Sequence, residues 1–276
     1  MKTILQIFVC IVLSISTYAQ NRVQEVQDLL MSFEFEKADS LIQISLTKYE
    51  GNWDSLPYFM TSKIVLTRLR DGIDPTTQLI AETENELDQH IPKSHPGYLY
   101  FLIRKAYHQI TLGNVSEAIE NYDFVINNSE GKEALSETYQ KAIVQRGFAY
   151  LYVGKLDEIE KTILPILPKL REQQDTAVMM NAFATLLYVA VQKQEYNKCL
   201  EYGHENLNMA LLAYGKDHYN TGLIYDQLGS CYQELNDFPQ ALKYQTEALK
   251  NKTKAYKNGE DADDLSSIIG NLGIIY

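Results

Sequence analysis

YNTGLIYDQLGSCYQELNDFPQALKYQTEALK, residues 219–250, decides the fold of this chain. Leu228-Gly229 is followed three residues on by Tyr232, Ala241 lies nine residues further, and Ala248 seven beyond that, with Asp237-Phe238 interrupting the run between them. Glycine and alanine at such offsets let two helix backbones approach closely, while tyrosine and phenylalanine fill the neighbouring spaces. The stretch is a packing recipe for one helical hairpin.

The same template recurs along the chain. KAIVQRGFAYLYVGKLDEIEKTI (141–163) carries Gly147, Tyr150, Gly154 and Leu156, and FLIRKAYHQITLGNVSEAIENYDFVI (101–126) carries Ala106, Gly113 and Ala118. Weaker units lie at NAFATLLYVAVQKQEYNKCLEY (181–202), around Leu187 and Cys199, and near the start, with Val26, Phe35 and Ala38; a further one around Leu66 rests on spacing. The register positions Val26, Leu66, Ala106, Gly147, Leu187, Gly229 and Gly273 stand 40 to 44 residues apart.

This pattern resembles the tetratricopeptide repeat family, whose standard unit is about 34 residues. The longer period, with Ala213-Tyr214-Gly215-Lys216-Asp217-His218 ahead of the clearest hairpin, resembles the repeats of kinesin light chains and of bacterial regulators. The resemblance covers roughly residues 21 to 276 and implies an all-α fold, a right-handed superhelical solenoid of antiparallel hairpins. Ala38, Ala106, Ala118, Gly147, Tyr150, Gly229, Tyr232, Ala241 and Gly273 are its repeat-packing positions.

Two departures carry information. Ile159 stands where a small residue is usual, and Pro165 and Pro168 fall inside what should be a second helix, so that helix is expected to kink or stop early. IIGNLGIIY, at 268–276, repeats the first helix of a seventh unit with no second helix after it. Since a solenoid end normally carries a polar cap, a longer parent protein is expected.

Composition bounds the function. With 45% hydrophobic residues, the chain can bury a substantial core, and 20 tyrosines supply rings that bridge apolar contacts and polar edges. A formal net charge of −11 opposes nucleic acid and anionic membranes. Lys2, the apolar run Ile4 to Ile15 and Thr17-Tyr18-Ala19 read as a secretory signal peptide over 1–19, cut before Gln20, leaving a repeat array over 20–276. The run is too short for a span of about 20 apolar residues, and Ile7-Phe8-Val9 lacks the small residues of a lipid-anchoring signal at Cys10. Export to the periplasm, cell surface or medium follows, with no membrane span after cleavage.

No metalloprotease, phosphate-loop, dinucleotide-binding or serine-nucleophile motif occurs in the sequence. The histidines at 90, 95, 108, 204 and 218 form no helix-face pair, so loop or packing roles are expected and no metal or cofactor is implied. Cys199 and Cys231 sit where successive hairpins press together. An inter-repeat disulfide and a pair of small buried thiols both remain open. The acidic run Glu260-Asp261-Ala262-Asp263-Asp264 reads as a solvated helix start.

In the family it resembles, the first helices of successive hairpins line a concave groove. Residue by residue, this implies inward positions at Tyr100, Ile103 and Tyr107, at Val144 and Phe148, at Ala184 and Tyr188, and at Asp226 and Ser230. Lys63 is the only basic residue at such a position, which disfavours binding of a chaperone's C-terminal carboxylate. The implied function is a scaffold that binds a protein or peptide, with no catalysis in this chain. The alternative is the N-terminal sensory arm of a larger protein ending in a caspase-like protease or a sensor histidine kinase.

Overall fold

A computed structural model describes residues 19–30, 32, 34–173 and 175–256. Residues 1–18 of the expected signal segment, the acidic run at 260–264, Gly273 and the seventh-unit helix lie outside the described residues. All regular structure among the described residues is helical. The helices are α1 (19–30), α2 (Phe35–Lys48), α3 (Leu56–Asp71), α4 (Ile73–His90), α5 (Pro96–Thr111), α6 (Val115–Ser129) and α7 (Ser136–Tyr152). They continue with α8 (Leu156–Ile163), α9 (Leu167–Gln173), α10 (Thr176–Gln192), α11 (Tyr196–Ala213), α12 (Tyr219–Glu234) and α13 (Phe238–Tyr256). Short 3-10 turns at Glu133–Leu135 and Leu164–Ile166 precede α7 and α9.

One turn geometry recurs among the described hairpins, except between α3 and α4, where Gly72 itself takes the positive φ (90°). The amide of Asn114 donates to Gln109 O (2.8 Å), Lys155 to Tyr150 (3.0 Å), Glu195 to Ala190 (2.8 Å) and Asp237 to Tyr232 (2.9 Å). This six-to-one bond closes the first helix and aims the chain into the second. It requires a left-handed residue just before the donor, and the four are Gly113 (φ 81°), Gly154 (69°), Gln194 (60°) and Asn236 (59°). Glu34 N to Leu29 O, at 2.9 Å, repeats the bond in the first hairpin.

Four residues after each of these donors comes the point where the second helix leans on the first: Ala38, Ala118, Ile159, Cys199 and Ala241, each 0% exposed. The bulk of Ile159 is matched on the facing helix. A Cβ on Gly147 would lie 2.7 Å from Ile163 Cδ1 and 3.7 Å from Ile159 Cγ2, so the isoleucines occupy space that a glycine vacates. The expected break in the fourth hairpin is present: α8 stops at Ile163, Pro165 lies in the 3-10 turn, and α9 starts afresh around Pro168.

The chain divides into two compact units, with the division inside α7 between Ala142 and Ile143. In the first, α2 packs on α3, α3 on α4 and α5, and α5 on α6. Val26, Leu30, Ala38, Leu41, Ile42 and Leu66 form one cluster, and Ala19, Tyr49 and Phe59 another. Full burial of a side chain such as Phe59 stabilises by about 2–3 kcal/mol. Trp53, the lone tryptophan, stacks on His90 with ring centroids 4.0 Å apart. In the second unit α10 packs on α8, α9 and α11, α11 on α12, and α12 on α13. Gly203 lets Leu228 come within 2.6 Å of where its Cβ would be, and Gly229 does the same for Gln245 at 2.7 Å. Glycine at Gly229 thus serves close approach.

Candidate ligand-binding face

In the first unit, the inward side can be located from contacts among first helices. Tyr100 of α5 accepts a hydrogen bond from Gln27 Nε2 of α1 (2.7 Å), and its ring lies 5.0 Å from that of Tyr58 of α3. One side of α5 therefore faces α1 and α3. One turn along that side comes Arg104, and a second turn brings Tyr107, because residues three and four apart share a helix face. Burial, with the nearby Tyr100, Glu137 and Asp54, pushes the Tyr58 phenol up to about 12, so it stays protonated.

The implied groove residues divide into two sets. Tyr107 is 42% exposed and Tyr188 47% exposed. Phe148 is half-buried and meets Tyr152 edge-on at 5.4 Å, with Tyr152 60% exposed. These side chains can touch a ligand. Ile103 and Val144, at 6% and 1% exposure, cannot: neighbouring side chains cover them, and both leave the contact set. Tyr100 is half-buried and spent on Gln27 and Tyr58.

Asp226 is also engaged internally. Its Oδ2 pairs with Lys252 Nζ at 3.2 Å, where Lys252 is 4% exposed, and its carbonyl accepts from Gln245 Nε2 and Ser230 Oγ. The residue ties α12 to α13 rather than offering a free carboxylate. Ala184 is half-buried beside Tyr188 on α10. The repeat reading missed Arg104, because its template assigned the neighbouring Ile103 to the inward face; the stripe Tyr100, Arg104, Tyr107 at helical spacing was the available signal.

The remaining candidates have structural roles. His95 and His218 cap α5 and α12, their Nδ1 atoms accepting from Gly97 N and Asn220 N at 3.1 Å each. His108 meets Thr77 (2.8 Å) and His204 meets Tyr232 (3.0 Å). Among the described residues, no three His, Cys, Asp or Glu side chains are grouped to hold a metal ion. Cys199 and Cys231 form a disulfide between α11 and α12, with Cα atoms 6.1 Å apart and both residues fully buried. No helix among the described residues is long and apolar enough to cross a membrane.

The family profile described as Tetratricopeptide repeat matches residues 175–254. No curated protein is similar enough to match. Among solved structures, BtubC (BKLC) from P. vanneervenii is similar, with a TM-score of 0.59 and 16% identity, over 74% of this chain and 81% of that one. A Rap protein solved in complex with Competence and Sporulation Factor gives 0.63 and 17%, over 87% of this chain and 66% of that one. A Podosopora anserina putative kinesin light chain with nearly identical TPR-like repeats gives 0.54 and 12%, over 72% of this chain and 95% of that one. These identities speak to fold alone, and the fold agrees with the repeated turn and the small contact residues: residues 175–254 match the tetratricopeptide-repeat profile, and the chain is built of antiparallel helical hairpins in the α-solenoid class.

Proposed function

We propose that this protein is an exported interaction scaffold that binds a protein or peptide through the first helices of its hairpins, and that binding is its whole activity. The observation that carries this reading is the recurrence of an aromatic side chain at one register position, Tyr107, Phe148 and Tyr188, with Tyr107 and Tyr188 each more than two-fifths exposed. Aromatic rings with few rotatable bonds are efficient binding anchors. The Rap structure, solved with Competence and Sporulation Factor, supports the idea that this architecture suits such ligands.

Export rests on the N-terminal residues and on the buried Cys199–Cys231 disulfide, a pairing typical of oxidising compartments. N-terminal sequencing of the protein from fractionated cells tests it: a chain starting at Gln20 outside the cytoplasm is expected, and one retaining Met1 in the cytosol refutes it. For binding, a photo-crosslinking residue placed at 107 or 188 should trap a partner that Tyr107→Ala/Phe148→Ala/Tyr188→Ala no longer retains. A partner held equally well by the triple variant would move the interface elsewhere.

A further inference from the structure

Two of the helices begin on a histidine. His95 caps α5 and His218 caps α12, each through Nδ1, which accepts the amide of the second residue along, Gly97 or Asn220, at 3.1 Å. A backbone N–H can only donate, so the ring nitrogen facing it must carry a lone pair, and the neutral imidazole keeps its proton on Nε2. The two rings differ in what surrounds them. Nε2 of His95 faces Asp54 Oδ1 at 3.3 Å, so an added proton there meets a carboxylate. At His218 burial alone acts on the ring, and among the described residues no carboxylate pairs with it.

His218 stands where three helices meet. Its ring stacks on Tyr214, just past the end of α11, with centroids 4.7 Å apart. Its carbonyl accepts from Gly222 N of α12 (3.0 Å) and from Asn251 Nδ2 of α13 (3.3 Å), and the same Asn251 amide donates to Lys216 O at 2.7 Å. The charged groups nearby are engaged with one another across the joint: Lys216 of the connection with Glu247 of α13 at 3.3 Å, and Asp217 with Lys250 of α13 at 3.4 Å. Tyr219 follows the histidine as the first residue of α12. The far end of α12 is held differently, because Cys231 is bonded to Cys199 of α11. One end of this helix is thus fastened covalently and the other by an imidazole lone pair.

We infer that His218 is an acid-sensitive latch on the start of α12. A proton taken up at Nδ1 turns the cap's acceptor into a donor aimed at the Asn220 N–H, and it sets a cation at the positive end of the helix dipole. The first turn then frays. With it goes the carbonyl that Asn251 holds, so α13 loosens from the connection between α11 and α12 while the disulfide keeps the far end of α12 in place. Burial depresses the imidazole below its ordinary 6.5, so the proton binds more weakly to the capped than to the frayed form. The latch is therefore closed above 6.5 and opens progressively between 6.5 and the lower folded value.

The test is residue-resolved amide hydrogen exchange on the full, oxidised chain at neutral pH and at about pH 5, corrected for the intrinsic pH dependence of exchange. Protection of the Asn220 and Gly222 amides should fall about fivefold on acidification, the factor that loss of a typical helix cap carries. The Val178 amide, held at the start of α10 by Asp175 Oδ1 at 3.1 Å, should keep its protection and serves as the internal comparison. His218→Asn retains a capping acceptor that does not titrate, so its protection should match neutral wild type at both pH values; His218→Ala should be low at both. Unchanged protection at Asn220, a fall that persists in His218→Asn, or an equal fall at Val178 overturns the inference. If far-UV circular dichroism shows either variant unfolded, the wild-type contrast between Asn220 and Val178 still decides.

Discussion

Removing the Cys199–Cys231 bond should cost the second unit several kcal/mol without disturbing its packing. The disulfide closes a loop at a sequence separation of 32, and the chain entropy released on opening such a loop is roughly 3.5 kcal/mol. Cys199→Ala/Cys231→Ala is an unusually clean substitution here. Alanine already fills the equivalent of position 199 at Ala38, Ala118 and Ala241, and Ala149 stands two residues after Gly147 as Cys231 does after Gly229, all of them fully buried. The lost sulfurs add about 1 kcal/mol each. Urea unfolding followed by far-UV circular dichroism, on oxidised and reduced wild type and on the variant, separates the terms: oxidised against reduced isolates the cross-link. With a slope of about 2 kcal/mol per molar, the reduced protein's midpoint should fall by about 1.5–2 M. A change under about 0.3 M would mean that α11 and α12 are held by packing alone, and the entropic argument would fail.

Three further outcomes follow from the same structure. Gln194→Gly should stabilise by about 1 kcal/mol, because a left-handed conformation strains a residue with a Cβ; Asn236→Gly should gain less, and Gly113→Ala should lose a similar amount, all measured as urea midpoints. Gly229→Ala should cost about 1–3 kcal/mol by overpacking, since its Cβ would stand 2.7 Å from Nε2 of the fully buried Gln245; an unchanged melting temperature would contradict the close approach. Burial holds His108, His204 and His218 below the ordinary 6.5, with Arg68 adding at His108 and Lys243 at His204. Each binds its proton more weakly folded than unfolded, so their contribution is complete above 6.5 and is lost as the pH falls through 6.5 toward the lower folded values. Urea midpoints should drop between neutral pH and about pH 5, and replacing all three with glutamine should flatten that slope.

The hairpin plan was legible because it is written in small residues. Gly147, Gly229 and the alanines mark where backbones touch, and even the exception at Ile159 was flagged by sequence, with Pro165 and Pro168 announcing the broken helix that follows. The inner face was less legible. A repeat template gives a residue's direction but not what reaches over it, so it could not show that Gln27 spans to Tyr100, or that Ile103 and Val144 are covered. Asp226 was misjudged for a similar reason, because Lys252 comes from a helix whose tail carries no repeat signature. The cysteines could be placed near one another but not paired, since their spacing allows contact without requiring a bond. Nothing in the pattern marked the division of the chain inside α7, which falls within one continuous helix.

The stacking of Trp53 on His90 has a practical consequence. Because this is the only tryptophan, its emission watches the joint between the first two hairpins and nothing else, and the imidazole pressed against the indole face makes that emission sensitive to any change in the stack. The molecule therefore carries an unlabelled optical gauge at one end. A ligand that reorders the helices around Gln27 and Tyr58 can change the brightness of that gauge, whereas loosening confined to α11 and α12 leaves it dark to the event, so one spectrum tells an observer which part of the array has responded.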